Sequence, residues 1–292
     1  LHVDNGLKTT ETGHALTISV TGNTSGAQLN QLDAITTLPV TVKSATINGT
    51  AADIATAVQS SGLDTLANVA LSVSSGNATV AQANILTGAT TGTVTATISD
   101  GDIATLNGLS SVVDSNGDPV QQALTVVITD TSVAASALNS LNAKVSEDIS
   151  LTNVATVTGS LSELSTTLGT AGFSNDTANA VTVSDTGSLD ADAFQALNAA
   201  TTGVVTVSGT VSNLVGTAAN VAALFAGNGE NEGVVFTDNP TVTINGSAAT
   251  AAHLIAIDNA TDSLVTVSST LTITGSKTDI GTVLTRNAEN PL

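Results

Sequence analysis

The feature that most constrains this chain is its internal repetition, because a fixed period decides the architecture before any single residue is considered. One block joins a strand-like run to a Gly, a small hydroxyl residue and a helix-like stretch. It occurs at Ile47-Asn-Gly-Thr-Ala-Ala-Asp-Ile54, Val157-Thr-Gly-Ser-Leu-Ser-Glu-Leu164, Val215-Gly-Thr-Ala-Ala-Asn-Val221, Ile244-Asn-Gly-Ser-Ala-Ala-Thr-Ala251 and Ile273-Thr-Gly-Ser-Lys-Thr-Asp-Ile280. A second block closes a helix-like stretch with Leu or Ile and a polar tract: Leu32-Asp-Ala-Ile-Thr-Thr, Leu86-Thr-Gly-Ala-Thr-Thr, Leu141-Asn-Ala-Lys-Val-Ser, Leu197-Asn-Ala-Ala-Thr-Thr and Ile257-Asp-Asn-Ala-Thr-Asp. The anchors Leu32, Leu86, Leu141, Leu197 and Ile257 are nearly evenly spaced. The first block, or a degenerate form such as Ile98-Ser-Asp-Gly-Asp-Ile103, falls between them, so each repeat holds two halves. The expectation is ten strand-helix units in five repeats, roughly 15–68, 69–122, 123–179, 180–238 and 239–292.

The physics of one unit can be read locally. Leu16 to Val20, Leu71 to Val73, Leu124 to Ile128, Val181 to Val183, Val204 to Val207 and Leu271 to Ile273 alternate apolar with hydroxyl residues, the pattern of strands with one buried face. Thr50 with Asp53 and Ser160 with Glu163 read as helix N-caps, the latter in capping-box spacing. Ile54 with Val58, Leu161 with Leu164 and Leu168, and Phe194 with Leu197 give the spacing of a helix face. Helices this short need tertiary packing. Such units stack, so the expected fold is an α/β repeat: a right-handed parallel strand-helix solenoid spanning residues 1–292 as one body. The alternative is an all-β solenoid in which the Ala-rich stretches are loops. The unit, half of one repeat, has the length of a leucine-rich repeat, yet the consensus and Asn ladder of that family are missing. Longer connections at Gln59 to Asn68, Val112 to Gln122, Gly169 to Asn179 and Gly227 to Asn239 recur once per repeat and read as loops.

Composition narrows function. The chain of 292 residues carries 24 Asp plus Glu against 5 Lys plus Arg, a formal charge of −19, which speaks against nucleic-acid binding through phosphate neutralisation. Cys, Met, Trp and Tyr are absent and Phe occurs four times, so the core is built from Val, Ile, Leu and Ala, and thiol chemistry is unavailable. His2, His14 and His253 are scattered and do not mark a metal centre. No apolar run approaches the roughly 20 residues of a membrane helix, and no signal-like segment is evident. Freedom from sulfur residues and scarcity of trypsin-like sites fit an extracellular or cell-surface setting.

Candidate sites are few. Asp114, Asn116 and Asp118, in Asp-Ser-Asn-Gly-Asp, set oxygens at alternating positions round a Gly and form a candidate calcium site; an ordinary Asx turn is the competing reading. Asp100-Gly-Asp102, Asp190-Ala-Asp192 and Asn228-Gly-Glu-Asn-Glu232 read as helix starts and solvated loops. The six sequons, at Asn23, Asn48, Asn77, Asn175, Asn245 and Asn259, are as many as chance supplies in a chain this rich in Asn, Ser and Thr. No nucleophile elbow accompanies His253, so a catalytic triad is not supported. Gly49, Gly159, Gly216, Gly246 and Gly275 recur too regularly for phosphate loops and read as structural turns. No catalytic or cofactor-binding residue is expected.

Ala-Leu-Asn-x-Leu-Asn-Ala, Thr-Thr-Gly-Val-Val-Thr-Val and Ile-Thr-Gly-Ser-x-x-Asp-Ile, spread from about Leu16 to Leu284, resemble the repeats of giant secreted or surface-layer-type proteins of marine cyanobacteria and other bacteria. The resemblance implies export and a structural or adhesive role, and brings no catalytic residues. Neither the polar stretch Asp4 to His14 nor the residues after Leu284 make an obvious cap, so the chain is expected to continue in a longer precursor or to associate end to end into a homopolymer. Binding of a cell-surface glycan by an adhesin-like array is the second reading. A polysaccharide lyase is the third, weakened by the scatter of Lys8, Lys43, Lys144, Lys277 and Arg286.

Overall fold

The computed structural model describes residues 15–286 apart from 65, 115, 175–177 and 228–231, with the side chains of 232–238 and Arg286 also left aside. The chain is a mixed α/β protein with mostly parallel strands in several sheets, and ten helices are found among the described residues. Those helices exclude the all-β alternative.

In chain order, β1 (Ile18–Thr21) and β2 (Thr24–Ser25) precede α1 (Gly26–Ile35), and β3 (Val40–Lys43) and β4 (Thr46–Gly49) precede α2 (Ala51–Gln59). Next come β5 (Leu63–Asp64), β6 (Ala70–Val73) and α3 (Val80–Ala89), then β7 (Val94–Thr97) and α4 (Ile103–Leu106). The hairpin β8 (Val112–Val113) and β9 (Pro119–Val120) is followed by β10 (Ala123–Thr125), β11 (Ser132–Ala134) and α5 (Ala135–Asn142). Then follow β12 (Ile149–Ser150), β13 (Thr156–Gly159), α6 (Leu161–Gly169), β14 (Phe173–Ser174), β15 (Ala180–Val183), β16 (Gly187–Asp190) and α7 (Ala191–Ala200). The chain ends through β17 (Val205–Gly216), α8 (Ala218–Ala226), β18 (Glu232–Ile244), β19 (Ala248–Thr250), α9 (Ala251–Ala260), β20 (Val265–Val267), β21 (Thr272–Thr274) and α10 (Lys277–Arg286).

The double repeat has a structural cause. The helix starts at Gly26, Ala51, Val80, Ile103, Ala135, Leu161, Ala191, Ala218, Ala251 and Lys277 are separated by alternately short and long stretches of chain. A short stretch such as α1 to α2 or α9 to α10 holds two strands. A long one holds an additional strand or bridge immediately before its helix: Ala78, bridged to Ile98, before α3, and β11, β16 and β19 before α5, α7 and α9. One short and one long stretch together make the interval between successive anchors from Leu32 to Ile257. The long stretches coincide with the four longer connections, so these are not plain loops. They carry β5, the β8–β9 hairpin, β14 and the start of β18.

The fold divides into two compact units that interleave along the chain. The first comprises the described residues through Asp130 with Ser140–Leu151 and Gly172–Ser174. It contains the parallel sheets β1-β3-β5 and β10-β7-β6-β4-β2, the pair β12-β14, and the antiparallel β8-β9 hairpin. Its core alternates along the strands: Val94, Ala96 and Ile98 are buried in one rung and Leu124, Val126 and Ile128 in another.

The second unit comprises Thr131–Asn139, Thr152–Ala171 and the described residues beyond Ser174. It holds the sheet β11-β13-β15-β17-β18-β20, with β16 paired to β17, and the pair β19-β21. Val133, Val157, Val181 and Val205 follow one another in register and are all buried. Phe194 of α7 is wholly buried.

Candidate functional site

The structure places Asp114, Asn116 and Asp118 at the tip of the β8–β9 hairpin. Asp114 Oδ1 accepts the backbone N–H of Asn116 at 2.8 Å and of Asp118 at 3.0 Å, and Gly117 takes φ +88°. These bonds, that from Asp118 foremost, hold the Asp114 carboxyl below its ordinary value. The carboxylate thus caps its own turn, which is the geometry of the Asx reading. Asn116 and Asp118 are exposed. No group of three or more His, Cys, Asp or Glu side chains with metal-holding geometry exists among the described residues.

The recurring glycines serve close packing more than turning. Of Gly49, Gly159, Gly216, Gly246 and Gly275, only Gly49 has positive φ, at +136°. A Cβ on Gly159, Gly216 or Gly275 would lie 3.0, 2.9 or 3.0 Å from the Cβ of Ala135, Ala191 or Ala251. These alanines open α5, α7 and α9, each one rung earlier in the chain, so a small residue on one rung seats a glycine on the next. Gly246 has Thr217 Cγ2 3.5 Å from such a Cβ.

Several acidic and amide side chains are committed to neighbouring rungs. Asp100 accepts the N–H of Val80 at 2.6 Å, Asp130 that of Ile103 at 2.7 Å and Asp185 that of Leu161 at 2.6 Å; each donor is the first residue of a helix. Asn30 donates to the Asp53 carbonyl, Asn84 to that of Gly108 and Asn139 to that of Glu163, from the fifth position of α1, α3 and α5. Gln195 holds that position in α7, and its buried Nε2 has no partner among the described residues. Thr90, Thr201 and Thr261 are buried where helices end; their Oγ1 atoms donate to the carbonyls of Val69, Asn179 and Pro240.

Asp192 gathers several hydrogen bonds from the next strand-helix unit. It accepts Thr217 N and Oγ1 at 3.0 and 2.7 Å and Asn220 Nδ2 at 2.6 Å. Partial burial pushes its pKa up, but hydrogen bonds from Thr217, Asn220 and Asn245 together bring it below the ordinary value. Asp102 and Asp190 cap α4 and α7 as the helix-start reading expects. Asn228 to Asn231 lie outside the described residues, as do His2 and His14. His253 sits in α9, its N–H donated to Thr250 Oγ1.

Hollows on the described surface include two lined by helix residues. One, of about 790 Å³, is lined by Val20, Gln28, Gln31, Leu32 and Ile35 of the first rung. The other, of about 760 Å³, lies beside Ser162, Thr166, Asp185 and Asp190. The second hollow brings serine and threonine hydroxyls together with Asp185, which accepts the N–H of Leu161, and Asp190, which caps α7.

Sequence reasoning missed the rung-to-rung Asp, Asn and Thr ties. Their signal was the recurrence of Asn two residues before the second block, at Asn30, Asn84 and Asn139, and of Thr within it, at Thr90, Thr201 and Thr261, neither assigned a partner. No protein-family model, curated protein or solved structure matches the chain.

Proposed function

We propose that the chain is a non-catalytic structural segment of a bacterial extracellular assembly, a filament, sheath or surface layer. In this reading it winds as a right-handed strand-helix solenoid and associates end to end with further copies. The observation that carries it is where the polar chemistry goes. Asp100, Asp130, Asp185, Asp192, Asn30, Asn84, Asn139 and the helix-ending threonines are occupied in tying one rung to the next. Side chains spent on stacking serve a protein whose task is to stack, and parallel rungs propagate in one direction, as a heterologous contact between copies must.

The net charge of −19 keeps such an assembly dispersed and makes it sensitive to salt. Mass photometry over a dilution series at seawater-like ionic strength tests the reading. A ladder of integral multiples that grows with concentration supports it; a single species of 28.6 kDa at every concentration and salt contradicts it. Adding Ca²⁺ and then EDTA asks separately whether the Asp114 to Asp118 tip binds the ion.

A further inference from the structure

The first and last helices each expose a position that every comparable inner helix buries. In α3, α5, α7 and α9 the seventh residue is the anchor of the second block, and Leu86, Leu141, Leu197 and Ile257 are all buried. Leu32 holds that place in α1 and is only half-buried; with Val20 and Ile35 it lines the first hollow. The fourth residue is buried in every helix from α1 to α9, as at Leu29, Ile54, Leu164 and Leu254. In α10 it is Ile280, and it is half-buried. Leu284, one turn further on, is 64% exposed.

The inner repeats show what covers such positions. α3, α7 and α9 pack against the helices before them, α2, α6 and α8, and no helix precedes α1 among the described residues. The seventh position therefore faces the preceding helix and the fourth the following one. Helix spacing then names the missing neighbour. The stretches α1 to α2 and α9 to α10 are both short, so a helix ahead of α1 must be of the kind that closes a short stretch. α10 is of that kind, and its following side is open. The strands agree, since β1 and β2 are edge strands, as are β20 and β21, and neighbouring rungs are joined by parallel pairing. A parallel ladder can continue from one pair of edges to the other.

We propose that α10 of one copy seats on α1 of a second copy, bringing Ile280 and Leu284 over the hollow lined by Leu32, Ile35 and Val20. This contact rests on the end-to-end reading above and adds to it the two faces, the polarity and the phase of the repeat. The two faces differ, so the contact is heterologous: each copy offers α1 to one neighbour and α10 to another. What drives it is the apolar burial that the same helix positions already have in the inner repeats.

The test is complementation, read by native mass spectrometry of the full chain. Ala34 is exposed at the hollow and Leu284 is exposed on α10, so A34K and L284K each block one face without touching a buried group. A lysine lowers the net negative charge that disperses the chain, so lost association is not added repulsion. Each variant alone is expected to associate at least about tenfold more weakly than the wild type, the loss of one leucine-sized apolar contact. An equal mixture is expected to restore a dimer and nothing larger, because A34K keeps a working α10 and L284K a working α1. The chain has no cysteine, so L32C mixed with L284C under oxidising conditions is expected to give a disulfide-linked pair in preference to either self-pair. Unchanged multiples in both variants would overturn these faces and leave self-association standing. A mixture that stays monomeric although both variants melt as the wild type does, or L32C linking chiefly to itself, would overturn the polarity. A wild type that never exceeds one chain would overturn the contact and the end-to-end reading together.

Discussion

The two large sheets are written in the same alternation of Val with Thr, yet they use the threonines in opposite ways. In the seven-stranded sheet, Thr158 donates to the Val133 carbonyl at 3.4 Å, Thr206 to that of Val181 at 3.4 Å and Thr266 to that of Val242 at 3.2 Å, while Thr182 and Thr206 bond each other. These residues are half-buried. In the five-stranded sheet, Thr95, Thr97 and Thr125 are exposed and turn to solvent. In one sheet the hydroxyls bond their own ladder; in the other Thr95, Thr97 and Thr125 face solvent. Residue type and alternation alone do not distinguish a structural hydroxyl from an available one; where the hydroxyl points does.

The largest test of this comparison concerns Gly92 and Gly203, which hold the same place after Thr-Thr in the two units. A Cβ on Gly203 would overlap the Asn179 carbonyl oxygen outright, whereas one on Gly92 would lie 2.6 Å from that of Val69. Gly203→Ala is expected to cost about 3 kcal/mol and Gly92→Ala about 1 to 2 kcal/mol, read from urea melts. Equal costs would mean that the two rungs approach equally closely.

The threonines themselves come next. Thr182→Val with Thr206→Val should cost about 1 kcal/mol in total, because the bonds they remove are long and Val suits a strand. Thr95→Val, Thr97→Val and Thr125→Val together should stay within about 0.5 kcal/mol of the wild type. A like cost in both sheets would erase the contrast. Gln195→Asn should stabilise by about 0.5 kcal/mol, by letting a shorter amide reach the next helix as Asn30 and Asn139 do; an unchanged melt would deny that ladder to the fourth repeat.

The smallest effect concerns acid. The folded pKa of Asp192 lies below its ordinary value of 3.8, so its bonds to Thr217 and Asn220 add stability that is present above 3.8 and is lost as pH falls through the lower folded value. Asp192→Asn should flatten the acid limb of stability between pH 4 and pH 2, and an unaltered limb would show that other carboxylates carry it.

What could be read in advance follows from the range of the interaction. The strands at Val181 to Val183 and Leu71 to Val73 and the capping box of Ser160 with Glu163 rest on near neighbours in the chain, and all three are present. β5 and β14 are two residues each, too short for alternation to register, so stretches holding a strand read as loops. The ties of Asp100 to Val80 and Asn139 to Glu163 span 20 and 24 residues. Their partners follow only from the register of the rungs, and local spacing does not reveal it. The hairpin tip at Asp114 was legible as two alternatives, and its backbone bonds follow the turn geometry.

The central claim is that these rungs exist to be stacked, within the chain and between chains. X-ray fibre diffraction from an oriented, concentrated sample tests it most directly. The account predicts a reflection at the strand spacing of about 4.7 to 4.9 Å lying along the long axis of the assembly. Dispersed single chains with no oriented reflection, or a reflection lying across the axis, would contradict it.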